Sequence, residues 1–210
     1  MVHRREIDGA EIVLGNQGAL WGNAMTWFDH DTGSVWSQPL GEAVAGPRKG
    51  ERLEILPVSL TDWASWLDRH PDTLALDAPG VSSGGFRLED MTIVLELSDD
   101  AAAYRVRDVR EVGVVNDEVD GVPIAVTFDP TDDQRWAVYS RVLDDVVVDL
   151  AVDEDLFVDV VSGSRFDPAI GRAVDGPLEG QILDLLPGFT AFPRDFSTFW
   201  PDGRLWEPAG

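Results

Sequence analysis

The chain has 210 residues, 44% of them hydrophobic and eight of them tryptophan, enough apolar material to bury a core in one large or two small domains. Against 39 acidic residues stand 16 basic ones, a formal charge of −23 at pH 7, and Lys49 is the only lysine. That balance leaves no basic stripe for nucleic acid, and the absence of cysteine excludes disulfides, thiolate nucleophiles, iron–sulfur clusters and cysteine-ligated zinc.

A folded surface this acidic repels itself unless salt screens it, so the composition points to a halophilic protein in salt-rich surroundings. The N-terminus MVHRREIDGAEIV has no apolar stretch behind its arginines, and no run approaches the length of a membrane-spanning helix. The expectation is a soluble chain, cytoplasmic by default and exported if a longer N-terminus exists.

Residues 10–36 read as short strands and tight turns: Ile12, Val13, Leu14, Leu20, Trp21, Met25, Trp27 and Phe28 are broken by Gly15, Gly18 and Gly22, and end in a turn at His30–Gly33. Glycine- and proline-punctuated loop or strand continues over residues 39–50. A helix follows, with Ser59 and Asp62 as a capping box, Trp63, Trp66 and Leu67 along one face, and Pro71 as its stop. Residues 72–90 crowd Asp77, Pro79, Gly80, Ser82, Ser83, Gly84 and Gly85 together and read as a connector. From Met91 the pattern is strand: TIVLEL, AAYRV, then a hairpin turning at Asp120-Gly121, in which Val122, Ile124, Val126 and Phe128 alternate and Pro123 suggests an edge. Further strands fall at Trp136–Tyr139 and between residues 146 and 161. A second short helix is expected near Phe192, Phe196 and Phe199, with Pro193 in its first turn.

Residues 33–50, GSVWSQPLGEAVAGPRKG, return 130 positions later as GSRFDPAIGRAVDGPLEG over 163–180, and the register holds to Pro71-Asp72 and Pro201-Asp202. The fold class expected is therefore mainly β: duplicated β-rich modules with short aromatic-faced helices. Trp36 and Phe166 fall at one register and are read as core positions.

Three blocks carry a resemblance to a known family: DHDTGSVWSQPLGEAVAGPRKGERLEILP with Trp63–Trp66 and HPDT; VLELSDDAAAYRV running to VVNDEVDGVPIAVTFDP; and residues 162–203 ending in FWPDG. On these the chain resembles the DUF3179 family of uncharacterised proteins, and with its acidic composition it is expected to be a haloarchaeal member. The resemblance implies a partial first repeat over residues 1–76 that lacks its N-terminal part, a connector over 77–90 and a second repeat over 91–210. It also implies a Cys-Pro-x-x-Cys segment, whose matching position here is Phe128-Asp129-Pro130-Thr131-Asp132, without cysteine.

The candidate binding residues are His30, Asp31, Trp36, His70, Asn116 and Asp117. His30 and Asp31, beside Asp29, form the only local histidine–carboxylate cluster; neighbours on a strand point to opposite faces, so a solvated turn competes with a ligand role. His70 sits at a helix terminus, where a structural interaction with the helix dipole competes with chemistry. Asn116 and Asp117 can fix a turn through their side-chain oxygens, and the family resemblance singles them out for binding. Asp129–Asp133 and Asp153–Asp155 offer oxygens without the spacing of a metal cage.

No catalytic residue, metal or cofactor is assigned. The leading expectation is a noncatalytic binding or structural domain with an unidentified ligand. Its competitors are a carboxylate- and histidine-dependent hydrolase, and a degenerate remnant of a metal- or thiol-containing relative. An exposed strand edge in the first repeat suggests a homodimer.

Overall fold

The computed structural model describes residues 1–75, 87–98 and 100–208. The architecture is mainly β, with short helices, and the sequence duplication is visible in the backbone. In the first copy, strands Leu14–Trp21, Ala24–Asp29, Val35–Ser37 and Glu42–Ala45 form a four-stranded antiparallel meander. In the second, Leu150–Asp153, Leu156–Asp159, Arg165–Asp167 and Arg172–Asp175 do the same. Trp36 lies opposite Trp27 and Ala43, and Phe166 opposite Phe157 and Ala173. Both rings are fully buried, as their shared register predicts.

The likeness extends upstream at a different offset. Hairpins Glu6–Ile7/Ala10–Glu11 and Val142–Leu143/Val146–Val147 turn at Asp8 (φ 51°) and Asp144 (φ 50°) and close through Ile12 N–H to Arg5 O and Val148 N–H to Arg141 O. His3 pairs with Ile55 as Tyr139 pairs with Leu185. The six residues by which the offsets differ lie in one hairpin, which runs from Leu14 to its partner Asp29 in the first copy but only from Leu150 to Asp159 in the second. The longer hairpin places its Trp21 ring 5.5 Å from that of Phe199 in the second copy.

Two further sheets belong to the second copy. Strands Thr92–Leu97 and Asp100–Arg105 form the centre of a sheet completed by Phe189–Ala191 and Arg204–Trp206. This near-continuous apolar sequence is buried on both faces. Ile93, Leu95, Ala102 and Tyr104 face a core with Val115, Ile124, Val126 and Trp136, while Val94, Ala101 and Ala103 face Phe196, Trp200 and, from the first copy, Leu40 and Ile55. The second sheet is the expected hairpin, Val114–Val119 and Val122–Phe128, joined by Trp136–Ser140. Asp120 (φ 50°) and Gly121 (φ 72°) supply the left-handed pair that a two-residue turn demands.

Pro123 is not on an edge strand: its strand is the middle one of three. It is tolerated because it sits near the strand's start. Arg141 N–H still reaches Pro123 O, and Arg141 O, which a proline cannot serve, accepts Val148 N–H instead.

The helices also differ from expectation. Helix α1 (Trp63–Arg69) is capped by Asp62, whose carboxylate accepts Ala64 N–H and Ser65 N–H, not by Ser59. None of its residues is buried, and Trp63 and Trp66 are 50% and 40% exposed, so it does not lay an aromatic face on a sheet. Helix α2 (Val106–Val112), ended by Gly113 at φ 77°, was not anticipated. Helix α3 (Pro193–Phe199) begins at proline and buries Phe196, as expected. Residues 77–86 of the connector lie outside the described residues; its end, Leu88–Asp90, forms a turn of 3₁₀ helix. Among the described residues no helix is long and apolar enough to cross a membrane.

Candidate functional site

Each copy is organised around a buried aspartate at the end of a strand. Asp29 accepts hydrogen bonds from Thr32 N–H (2.6 Å), Thr32 Oγ1 (2.9 Å) and Trp36 Nε1 (3.0 Å). Asp159 accepts three backbone N–H groups, from Asp149, Val161 and Ser162. Burial opposes ionisation of Asp29, but the donors outweigh it and hold the carboxyl at about 2; Asp159 is lowered in the same way. Behind each aspartate a buried serine, Ser34 or Ser164, accepts the N–H of Arg48 or Leu178 at 3.0 Å. Gly46 and Gly176 lie directly over those serines: an added Cβ would stand 2.7 and 2.6 Å from the serine Cα.

This turn disperses the expected His30–Asp31 cluster. Asp29 points inward to its donors, while His30 and Asp31 are exposed, and the His30 ring stacks on Phe28 at 5.0 Å. Trp36 belongs to the core and serves Asp29. His70 caps α1, donating its N–H to Trp66 O, and its ring lies 4.1 Å from that of Trp66.

Asn116 and Asp117, adjacent on a strand, take opposite sides. The Asn116 carboxamide spans Leu150, donating Nδ2 to Leu150 O at 2.7 Å and accepting Leu150 N–H at 3.1 Å. It thereby covers the edge of the second meander. Asp117 Oδ2 accepts Tyr104 O–H and an Arg204 N–H, each at 2.8 Å, tying the last strand to the sheet. Burial, then the bond to Asp117, pushes the Tyr104 phenol well above its usual range. The six predicted residues therefore do not converge.

A polar cluster does form on the loop 129–135, between the copies. Asp129, Asp132 and Arg135 are all buried. The Asp132 carboxylate accepts Arg135 Nε at 3.3 Å and Thr61 Oγ1 at 2.6 Å, and Arg135 also donates to Thr61 at 3.0 Å. Asp129 holds the loop through Thr131, while its Oδ2 stands 3.6 Å from Arg135 and 3.9 Å from Arg69 on α1, without a hydrogen bond. Two carboxylates thus face two guanidiniums, the compensation that burial requires.

Bordering this cluster at Asp129, a cleft of about 360 Å³ is lined also by Arg110, Gly113, Phe128, Asp133 and Val152, among others, with the Arg110 guanidinium 5.1 Å above the Phe128 ring. In the sequence Asp129–Asp133 is an acidic run without the spacing of a metal cage, and nothing in that spacing marks Asp129 and Asp132 as buried. The available signal was Arg135, three and six residues on, in a segment otherwise poor in cations.

The cleft pairs apolar walls with charged rims, and among the described residues no group of three or more His, Cys, Asp or Glu side chains is placed to hold a metal ion. The molecule is thus a duplicated, mainly β protein whose strongest polar constellations are spent on its own turns and on the junction between copies. The family described as "Protein of unknown function (DUF3179)" matches residues 1–88 and again residues 81–209, and the chain belongs to it. No curated protein and no solved structure matches the chain.

Proposed function

We propose that this chain is a noncatalytic binding or structural domain adapted to salt-rich surroundings. One observation carries the reading: side chains able to do chemistry are engaged in holding the fold. Asp29, Asp159, Asn116, Asp117 and the Asp129–Asp132–Arg135 cluster each bond to their own framework. The carboxylate- and histidine-dependent hydrolase would need a histidine ring bonded to a carboxylate, whereas the exposed His30 ring stacks on Phe28 and the exposed His70 ring lies tilted against Trp66. The remnant reading has its own support in the buried ion cluster at the positions that match the family's cysteines.

Two measurements test the proposal. Purified chain assayed against ester, phosphoester and glycoside substrates is expected to give no turnover above buffer. Turnover abolished by His30→Ala or His70→Ala would instead establish a hydrolase. Thermal melts in rising KCl are expected to move upward as the net charge of −23 is screened; a flat or falling series removes the salt adaptation.

A further inference from the structure

Two clefts of similar size differ in what their charges already do. One, of about 400 Å³, is bounded by Glu89, Asp90, Arg105 and Arg107, and its arginines are taken: Arg105 stands 3.5 Å and Arg107 3.1 Å from Asp108. The other is the cleft of about 360 Å³ beside Asp129, and its guanidinium is unspent. Among the described residues Arg110 has a ring contact with Phe128 and an ion pair but no hydrogen bond, and its Nε is buried without a partner. The pair is with Glu89 at 3.9 Å, and Glu89 sits closer to Arg87. The aromatic ring thus positions the cation and leaves its fork of donors to something else.

The walls of this cleft are held firmly. Gly113, at φ +77°, ends α2 so near the second meander that an added Cβ would stand 2.5 Å from Val152 Cγ2. Val112 and Val152, 46% and 40% exposed, present apolar surface to it. Its exposed acids are Glu111 and Asp133, because Asp129 is buried and faces Arg135 and Arg69. Arg110 and Glu111 are neighbours in the chain, so opposite charges stand on one wall.

We propose that this cleft binds a small zwitterion, an α-amino acid with an apolar side chain. Its carboxylate takes the free donors of Arg110, its ammonium the carboxylates of Glu111 and Asp133, and its side chain lies on Val112 and Val152. A bare anion would meet Glu111, Asp133 and a chain of charge −23, whereas a bare cation would meet Arg110 already seated on the aromatic face. The adjacency of Arg110 and Glu111 suits a ligand that carries its two charges close together. The volume lies near the lower end of the roughly 300–1,000 Å³ of small-molecule clefts, room for one amino acid rather than a peptide.

This inference rests on the reading of the chain as a binding domain, but its test is independent of any assay for turnover. The probe is L-leucine, titrated by calorimetry into the intact chain in molar KCl at neutral pH. Saturable 1:1 binding is expected, weakened at least about tenfold when the ammonium is missing, in 4-methylpentanoate, or the carboxylate is capped, in L-leucinamide. Arg110→Gln should weaken leucine at least about tenfold and leave leucinamide no weaker, with circular dichroism unchanged. If Arg110→Gln disturbs the fold, the double variant Glu111→Gln/Asp133→Asn, at exposed positions, carries the test; it should weaken leucine and leave 4-methylpentanoate no weaker. Failure of leucine to bind overturns the proposal. So does 4-methylpentanoate or leucinamide binding as tightly as leucine, and so does leucine binding undiminished in either folded variant.

Discussion

The indole N–H of Trp36 donates to the buried Asp29 carboxylate at 3.0 Å, so the largest fully buried side chain of the first meander is also a polar anchor of the turn at residues 29–33. The second meander places Phe166 at the matching position, and its aspartate draws on the backbone N–H of Asp149 instead. Trp36→Phe should therefore pack acceptably yet remove one charge-assisted bond. A loss of about 1.5–3 kcal/mol in urea unfolding is expected. Phe166→Leu, as a pure packing change, should lower stability by a similar amount at each pH and leave the slope of stability against pH unaltered.

Acid unfolding should be governed by these two anchors. Both carboxyls are depressed in the fold, Asp29 to about 2, against about 3.9 for a free aspartate. Their stabilisation is thus complete above about pH 4 and is lost as the pH falls through the folded values. Denaturant midpoints between pH 5 and pH 2 should drop steeply in that lower window. Asp29→Asn should flatten part of the drop while lowering stability at neutral pH.

The glycines over the two buried serines should be the least replaceable. At Gly46 (φ +98°) and Gly176 (φ +92°) an added Cβ meets both left-handed strain and serine backbone. Alanine at either is expected to cost roughly 2–4 kcal/mol. At Gly33 and Gly163, where open space surrounds the new methyl, the cost should be only about 1 kcal/mol, from φ alone. Thermal melts of the four variants separate the two effects.

His3 gives the first copy a milder pH response. Its ring is packed against Trp27, with Nε2 against Gln38 O, and burial lowers its pKa despite that bond. A depressed histidine contributes stability that is whole above about pH 6.5 and declines as the pH falls through the folded value. Melting temperatures from pH 8 to pH 5 should decline. Tyrosine, which occupies the corresponding place at Tyr139, should make His3→Tyr less sensitive over that range.

What the sequence disclosed depended on local patterns. The hairpin 114–128 was legible because strict alternation flanked an Asp-Gly turn, and the meanders because their glycines recur at one spacing. Helix α2 escaped because it is only seven residues long, follows a strand directly and is built on β-branched Val106, Val109 and Val112; their three-residue spacing and the closing Gly113 were the signal available. The burial of Asp29, Asp129, Asp132 and Asp159 was hidden by abundance: in a chain with 39 acidic residues, an inward carboxylate is indistinguishable by composition from a solvated one. The exposure of α1 was equally hidden, since the strands that bury Phe196, the counterpart of Trp66, have no equivalent beside α1 among the described residues.

The six extra residues of the first hairpin make the two halves non-interchangeable. Gly22, at φ +58°, lies so near Phe199 that a Cβ there would approach the ring to 2.8 Å, and Trp21 leans on the same ring. A chain rebuilt from two copies of the shorter loop would keep every turn and every anchoring aspartate. It would nonetheless strip Trp21 and Gly22 from Phe199, and the halves would rely the more on the Thr61–Asp132–Arg135 junction and the packing of Leu40 and Ile55 on the hairpin 92–105.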